Sequence, residues 1–386
     1  MRILYSTQES VEYDGCHYYG SPIVVAYKRY IVLGDSMSVI CHCKKVNKGR
    51  SDVIADGLIN FSFVRKVNTL KAILLNRHYN SKIIAEQVKQ ADVCIIRLPN
   101  FHGYEVVRCA KLLGKPYLTL VGGSIWDGYW NFGLRGKLIA PYAHFLMRNT
   151  QKNAPYSIYV TKEFLQKRYP TRGKSLACSD VYINENRNDV LELRNKRIES
   201  VYANNLPLTI GTAAAINVPY KGQRFVIEAM AILKKRGIIF HYHLAGPGNE
   251  KELKILADRY GISDQIFFHG QILHSAMMDF LDEIDIYCQP SLTEGLPRSI
   301  IEAMSRGCLC MGSKVGGIPE LVDGEFLFRK GKVNEIVDVL SKIDREKLMN
   351  QAACNIDRSK EYEPSVLDEK RNGFLMDFKR YVDNGE

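Results

Sequence analysis

No apolar run in the chain approaches the roughly 18 residues that a membrane-spanning helix needs, so no transmembrane segment is expected. The first residues, MRILYSTQES, turn polar too soon to form the apolar core of a secretory leader. Met1 is therefore expected to begin the folded protein, in the cytoplasm. Metal-ligand spacing is missing as well. Cys41 and Cys43 flank His42, and Cys308 and Cys310 alternate in an apolar strand, but no second Cys/His pair completes a four-ligand zinc shell. The ten cysteines read as reduced, small apolar residues. Internal repeats and low-complexity tracts are lacking too.

What is present describes a globular chain of two domains. Its 386 residues are 46% hydrophobic and 25% charged, and exceed the size of one typical core. Net charge is +11, unevenly placed. Between Lys44 and Gln90 there are ten Lys/Arg against three Asp/Glu, and between Gly133 and Lys174 nine against one. The remainder is net acidic. A basic N-terminal half suits nucleic acid, an anionic membrane or a phosphate-bearing substrate. No interleaved aromatic platform or groove-reading motif accompanies it, so nucleic acid is not expected as a partner.

Strand-like apolar runs alternate with helical patterns. RILY, SVICHC, LINFSFV, DVCIIRL and KPYLTLV are the strand candidates of the first half, with helices in TLKAILLNRHYNSKIIAEQVKQ and EVVRCAKLLG. PLTIGTA, FHYHLAG, QIFFHG, DIYCQPS and CLCMGS continue the scheme in the second half. Such alternation predicts two doubly wound α/β domains facing a cleft, with ligands at the carboxyl ends of the strands. The polar stretch NENRNDVLELRNKRIES reads as a connector, which sets the domains at 1–202 and 203–363. Residues 364–386 are expected to form a last helix packing back toward the first domain.

The stretch PSLTEGLPRSIIEAMSRG concentrates the chemistry. It follows a buried strand, turns at Gly295-Leu296-Pro297, and enters a helix whose free N–H groups make an anion seat. Glu294 precedes that helix end, and Glu302 lies some 8 Å further along the axis at ~1.5 Å per residue. The pair could meet the two ends of an extended ligand. Either glutamate alone reads as an ordinary helix charge; together, after a buried strand, they point to a nucleotide sugar.

EGLPRSIIEAMSRGCLCMGSKVGGIPELV resembles the E-x7-E segment of family 4 retaining glycosyltransferases, which have the GT-B fold. HLAGPGNE, IFFHGQI and DIYCQPS precede it in the family's order, and GGSIWDGYWNFGLRGKLIAP resembles a bacterial branch that builds surface polysaccharides. The resemblance implies that Glu294 accepts hydrogen bonds from the donor sugar, and that Glu302 takes the ribose hydroxyls. Backbone around Gly295, Leu296, Arg298 and Ser299 would hold sugar and diphosphate, and Lys221 would neutralise the latter. Gly211 is the strand glycine that precedes this lysine; Gly246 and Gly248 would admit the nucleotide, Gln271 and Ile272 border the base, and Gly15 brings a first-domain loop over the diphosphate. A UDP-sugar is the implied donor substrate, with no cofactor.

Three departures from the pattern stand out. Thr212 occupies the place of a usual arginine, and Gly122 and Gly123 that of a histidine, with Asp127 the nearest ionisable replacement in the catalytic role. No Asp-x-Asp occurs, so metal independence is expected. VRKVNTLKAILLNRHYNSK and RGKLIAPYAHFLMRNTQK mix cations with apolar residues as interfacial helices do, which suggests peripheral attachment to the inner face of the cell membrane and a lipid-linked saccharide acceptor. The rivals are a sugar-nucleotide epimerase on the same fold and a non-catalytic anion- or membrane-binding protein.

Overall fold

The computed structural model describes residues 1–20, 26–47, 52–54, 59–66, 70–131, 133–183 and 189–385. Ile3, Leu4 and Tyr5 of β1 (Arg2–Tyr13) are all buried, as expected for a strand covered on both faces. The short β2 (Tyr18–Gly20) folds back antiparallel on the end of β1. β3 (Ser36–Lys45) pairs in parallel with β1; β4 (Asp52–Val53) pairs with β2, and β5 (Ile59–Phe63) extends the sheet beyond β3. On the other side of β1 come β6 (Val93–Leu98), β7 (Tyr117–Val121), β8 (Tyr156–Tyr159) and β9 (Lys174–Ala177), all parallel. The main order is thus β5-β3-β1-β6-β7-β8-β9.

This unit's helices are α1 (Leu70–Gln90), α2 (Phe101–Leu112), α3 (Ile125–Trp130), α4 (Gly133–Lys152) and α5 (Phe164–Arg168). Asn100 caps α2 by accepting the His102 N–H at 3.0 Å, which starts that helix earlier than EVVRCAKLLG suggested. The expected interfacial stretches fall on α1 and α4; residues 67–69 of the first lie outside the described residues.

The second unit is built on six parallel strands: β10 (Leu208–Ala213), β11 (Phe240–Ala245), β12 (Ile266–Gly270), β13 (Ile286–Gln289), β14 (Leu309–Ser313) and β15 (Leu327–Phe328). Their order, β12-β11-β10-β13-β14-β15, reverses direction between β10 and β13. In such sheets the crevice at the reversal receives the ligand. Helices α6 (Val190–Ala203), α7 (Gln223–Lys235), α8 (Lys251–Tyr260), α9 (Met277–Asp282), α10 (Arg298–Ser305), α11 (Val333–Leu340) and α12 (Arg345–Ser359) complete the unit, and α13 (Pro364–Asp383) ends the chain.

The chain divides into residues 1–180 with 368–386, and residues 181–367, which moves the boundary from the expected Ala203. The stretch read as a connector contains α6, and its residues 184–188 lie outside the described ones. Its polar composition hid a face at helical spacing: Val190, Arg194, Ile198 and Val201 are all buried. Arg194 donates to the carbonyls of Leu281 (2.9 Å), Ile284 (2.6 Å) and Arg306 (2.8 Å), which ties α6 to the second unit. α13 contributes Phe374, Phe378 and Tyr381 around Tyr156 of β8, with ring centroids 5.1–5.3 Å away. Asp377 accepts from Tyr156 (2.9 Å) and Lys174 (2.7 Å), so the last helix is counted with the first unit by its packing. Among the described residues no cysteine is joined in a disulfide. Among the described residues no helix is long and apolar enough to cross a membrane.

Candidate active site

β13 ends at Gln289, the chain turns through Ser291 to Glu294, and α10 begins at Arg298 with Pro297 as its N-cap. A cavity of about 450 Å³ lies here, beyond β10 and β13 where the strand order reverses. Ala213, Ala214 and Ala215 form one wall and Gly246 another. Gly246 has φ +150°, and a Cβ there would sit 2.0 Å from the Ala214 carbonyl oxygen, so only glycine lets these loops close together. Gly316, in the GGIPELV signature, has φ +58°, and its Cβ would lie 2.1 Å from the Glu294 carbonyl oxygen. With the Gly317 N–H donating to the Gly295 carbonyl at 2.7 Å, that loop braces the backbone of Glu294.

Glu294 is held through a single oxygen. Its Oε1 accepts from Lys221 Nζ (2.7 Å), Ser291 Oγ (2.7 Å) and Gln289 Nε2 (2.9 Å). Gln289 is in turn fixed: its Oε1 accepts from the Tyr287 hydroxyl (3.1 Å) and Ser299 Oγ (3.2 Å). The Ala213 N–H donates to that tyrosine hydroxyl at 3.1 Å. The carboxylate is thus oriented by donors that are themselves held, while Oε2 receives no bond among the described residues.

Glu302 is the opposite case. It lies in the middle of α10 on the buried side, 4% exposed, and its Oε1 has no hydrogen-bond partner among the described residues. Burial, partly opposed by Arg298, pushes its carboxyl up to about 7. An orphaned carboxylate oxygen at a cavity wall is costly, and a ligand that donates hydrogen bonds removes the cost.

Of the residues expected at this site, the cavity brings together Lys221, Gly246, Gln271, Ile272, Glu294, Leu296, Arg298, Ser299 and Glu302. Gly295 stands in the same loop, tied by the Gly317 bond. Gly211 is not among the lining residues; it lies inside β10, where a Cβ would meet Ile284 side-chain carbons at 2.7 Å, which accounts for glycine by packing. Gly248 likewise faces Asn217, whose Oδ1 would lie 2.5 Å from a Cβ. Thr212 is fully buried, donating to the Cys288 carbonyl at 2.7 Å, so no cation substitutes there; the exposed Arg298 is the cation that this cavity does contain besides Lys221.

Gly15 and Asp127 belong to the first unit. Gly15 sits between β1 and β2 with φ +107° and open space around a would-be Cβ, so the turn itself requires glycine. Asp127 lies in α3, where its carboxylate pairs with Arg168 and its N–H donates to Ser124 Oγ at 3.3 Å. That engagement ties Asp127 to Arg168 and to the Ser124 cap of its own helix. Gln289, Ser291 and Tyr287 were missed. The available signal was polar side chains at the carboxyl end of an otherwise apolar strand, where a fully buried segment has no other use for them.

Comparisons with known proteins place the chain among its likenesses. Residues 207–344 match the family model of glycosyl transferases group 1. Over 351 residues the chain is 29% identical to protein CapJ of Staphylococcus aureus, covering 90% of this chain and 84% of CapJ. Over 159 residues it is 32% identical to WcaL of Salmonella typhimurium, described as a putative colanic acid biosynthesis glycosyltransferase, covering 39% of each chain. The structure of Anabaena HepE in complex with UDP superposes with a TM-score of 0.66 at 15% identity, covering 98% of this chain and 100% of HepE. The fold is GT-B, and the matches support a glycosyltransferase.

Proposed function

We propose that the protein is a retaining, metal-independent glycosyltransferase of surface polysaccharide synthesis. It transfers a sugar from a UDP-sugar to a hydroxyl of a lipid-linked saccharide at the inner, anionic face of the cell membrane. One observation carries the donor half of this reading: a single cavity holds Lys221, the α10 N-terminus, an oriented Glu294 and an orphaned Glu302. The description of WcaL as a colanic acid biosynthesis glycosyltransferase and the UDP bound by HepE are consistent with it.

In this reading the ribose hydroxyls donate to Glu302, an acceptor for two neighbouring OH groups. The diphosphate lies against the first N–H groups of α10 and against Lys221, whose ammonium has three donors and gives one to Glu294. As the nucleoside diphosphate departs, these fixed donors meet its growing charge. Glu294, held by Gln289 and Ser291, receives sugar hydroxyls on its other oxygen and stabilises the positive charge that the sugar develops. The acceptor hydroxyl attacks the same face, and the leaving phosphate takes its proton.

The membrane half rests on α4. Leu134, Leu138, Tyr142 and Phe145 recur at helical spacing on it and are 67–83% exposed. The same helix carries Arg135, Lys137, Arg148 and Lys152 and no acidic residue. An apolar stripe flanked by cations suits insertion among anionic headgroups. The reading is tested by incubating the protein with a panel of nucleotide sugars and a lipid-phosphate saccharide, with and without excess chelator. Transfer from one UDP-sugar, changed less than about twofold by chelator, is expected, well inside the tenfold that 1.4 kcal/mol would give. Transfer abolished by chelator and restored by Mg²⁺ or Mn²⁺ would contradict metal independence; conversion of the sugar without a glycosylated product would establish the epimerase instead.

A further inference from the structure

The first unit contains its own cavity, of about 680 Å³, between α1, α2 and α4. None of the residues assigned to the donor lines it. Ile84, Phe101, Val107 and Leu146 give it apolar walls, a volume and character typical of a small-molecule site. Its rim is basic. Arg77, Arg108 and Lys111 stand there against Glu105 alone. Glu105 is already bound by Arg108 (2.6 and 2.9 Å) and Ser81 (3.2 Å). Arg77 and Lys111 have no ion-pair partner among the described residues and are exposed.

Two polar groups in the wall lack partners. The Nε2 of His102 and the hydroxyl of Tyr104 are buried without a hydrogen bond among the described residues, in side chains 4% and 8% exposed. Burial, reinforced by the His42 ring 5.0 Å away, lowers the His102 imidazole to about 4, so at neutral pH it is an uncharged hydrogen-bonding group. Native interiors rarely leave such groups unpaired, and these two have almost no accessible surface, so a polar head is left to the rim cations. Tyr142 joins this cavity to the exterior. It lines the cavity and also belongs to the exposed apolar stripe of α4.

We propose that this cavity binds the hydrocarbon-and-phosphate end of a single-chain lipid phosphate, the carrier on which the acceptor saccharide is built. The assignment rests on the glycosyl-transfer reading for the identity of that carrier, and on the cavity alone for its chemistry. The apolar walls take the chain. Arg77 and Lys111 take the phosphate, for which guanidinium and ammonium donors form charge-assisted hydrogen bonds. The stripe through Tyr142 lets the chain enter from the bilayer without crossing water.

The probe is dodecyl phosphate, kept below its micelle concentration and titrated calorimetrically into the intact protein, with dodecanol and inorganic phosphate as comparisons. Dodecyl phosphate is expected to bind at least tenfold tighter than dodecanol, and inorganic phosphate not measurably. Arg77→Glu with Lys111→Glu, both on the exposed rim, should weaken dodecyl phosphate at least tenfold, and Leu146→Trp, which fills the cavity, should do the same. If Leu146→Trp melts early, the rim variant decides. Leu138→Glu, on the α4 stripe outside the cavity, should leave the monomeric probe bound as before. Equal binding of dodecyl phosphate and dodecanol, or an unaltered rim variant, would overturn the proposal. So would a short two-chain phosphatidylglycerol that bound as tightly, since the site would then belong to bilayer lipid. UDP affinity, measured on the same variants, should not change. Loss of UDP binding in the parent with dodecyl phosphate still bound would sink the donor reading and leave this site standing, and the converse result would do the reverse.

Discussion

The carboxyl end of the second sheet and the helical side of the first unit solve different recognition problems. Around Glu294 and Glu302 the cavity is small, charged and built from loops locked by glycines, and Glu294 Oε2 and Glu302 Oε1 lack partners among the described residues. Between α1, α2 and α4 the cavity is larger and apolar, and its charges stand at the rim on exposed side chains. In the proposed reading the first arrangement fixes a polar ligand whose charge changes during reaction, and the second takes an amphipathic ligand.

The largest effect expected separates Glu302 from the other carboxylates among the described residues. Its folded pKa, raised to about 7, lies above the ordinary value of 4.5, so the native chain holds that proton more tightly than the unfolded chain does. The resulting stability is complete below about pH 4.5 and is lost as pH rises through 7, on the order of 3 kcal/mol in all. Glu302→Gln, a neutral isostere, should therefore melt later than the parent at pH 8, with the gap closing toward pH 4.5. Denaturant midpoints across that range check this; parallel profiles would mean that Glu302 finds a solvated place.

Next in size is the contrast within the donor cavity. Glu294→Gln retains an acceptor oxygen but removes the charge, and transfer should slow about 10²-fold or more, near 2.7 kcal/mol of electrostatic stabilisation. Affinity for UDP should stay within about threefold, under the 1.4 kcal/mol of a tenfold change. Steady-state rates with the saccharide acceptor, beside UDP titrations, measure both. A parental transfer rate would return Glu294 to the status of a helix-start charge.

A smaller effect addresses the other region. Reversing Arg148 and Lys152 on α4 to Glu should weaken binding to anionic vesicles by roughly 1 kcal/mol for each cation lost near the surface. Neutral vesicles should bind poorly throughout, and salt should erode the difference over a Debye length of about 8–10 Å. Equal sedimentation with neutral and anionic vesicles would remove the membrane from the account.

These regions also differ in how far the sequence disclosed them. The donor cavity was legible because its parts are local: a buried strand, a Gly-Leu-Pro turn and two glutamates lie within the 17 residues from Ile286 to Glu302, and glycines mark close approaches. Gln289 was not legible, because its work depends on Tyr287, Ser299 and Glu294 converging in three dimensions. Gly211 was over-read, since a strand glycine under Ile284 and a glycine beside a ligand look alike in one dimension. The cation-rich helices of the first unit showed in charge counts, but the cavity between them did not: it is made by residues 77–84, 101–111 and 142–150, whose meeting no local pattern encodes. α6 was misjudged for a related reason, because a buried Arg194 reads as polar until its carbonyl acceptors are known.

The central claim is that the second unit's cavity receives a nucleoside diphosphate whose ribose satisfies Glu302. Calorimetric titration of UDP into the parent and into Glu302→Ala tests it without requiring the acceptor or the sugar. Loss of a charge-assisted acceptor for two hydroxyls should cost about 1.5–3 kcal/mol, roughly a 10- to 150-fold rise in Kd. UDP bound equally well by both proteins would contradict the assignment of this cavity.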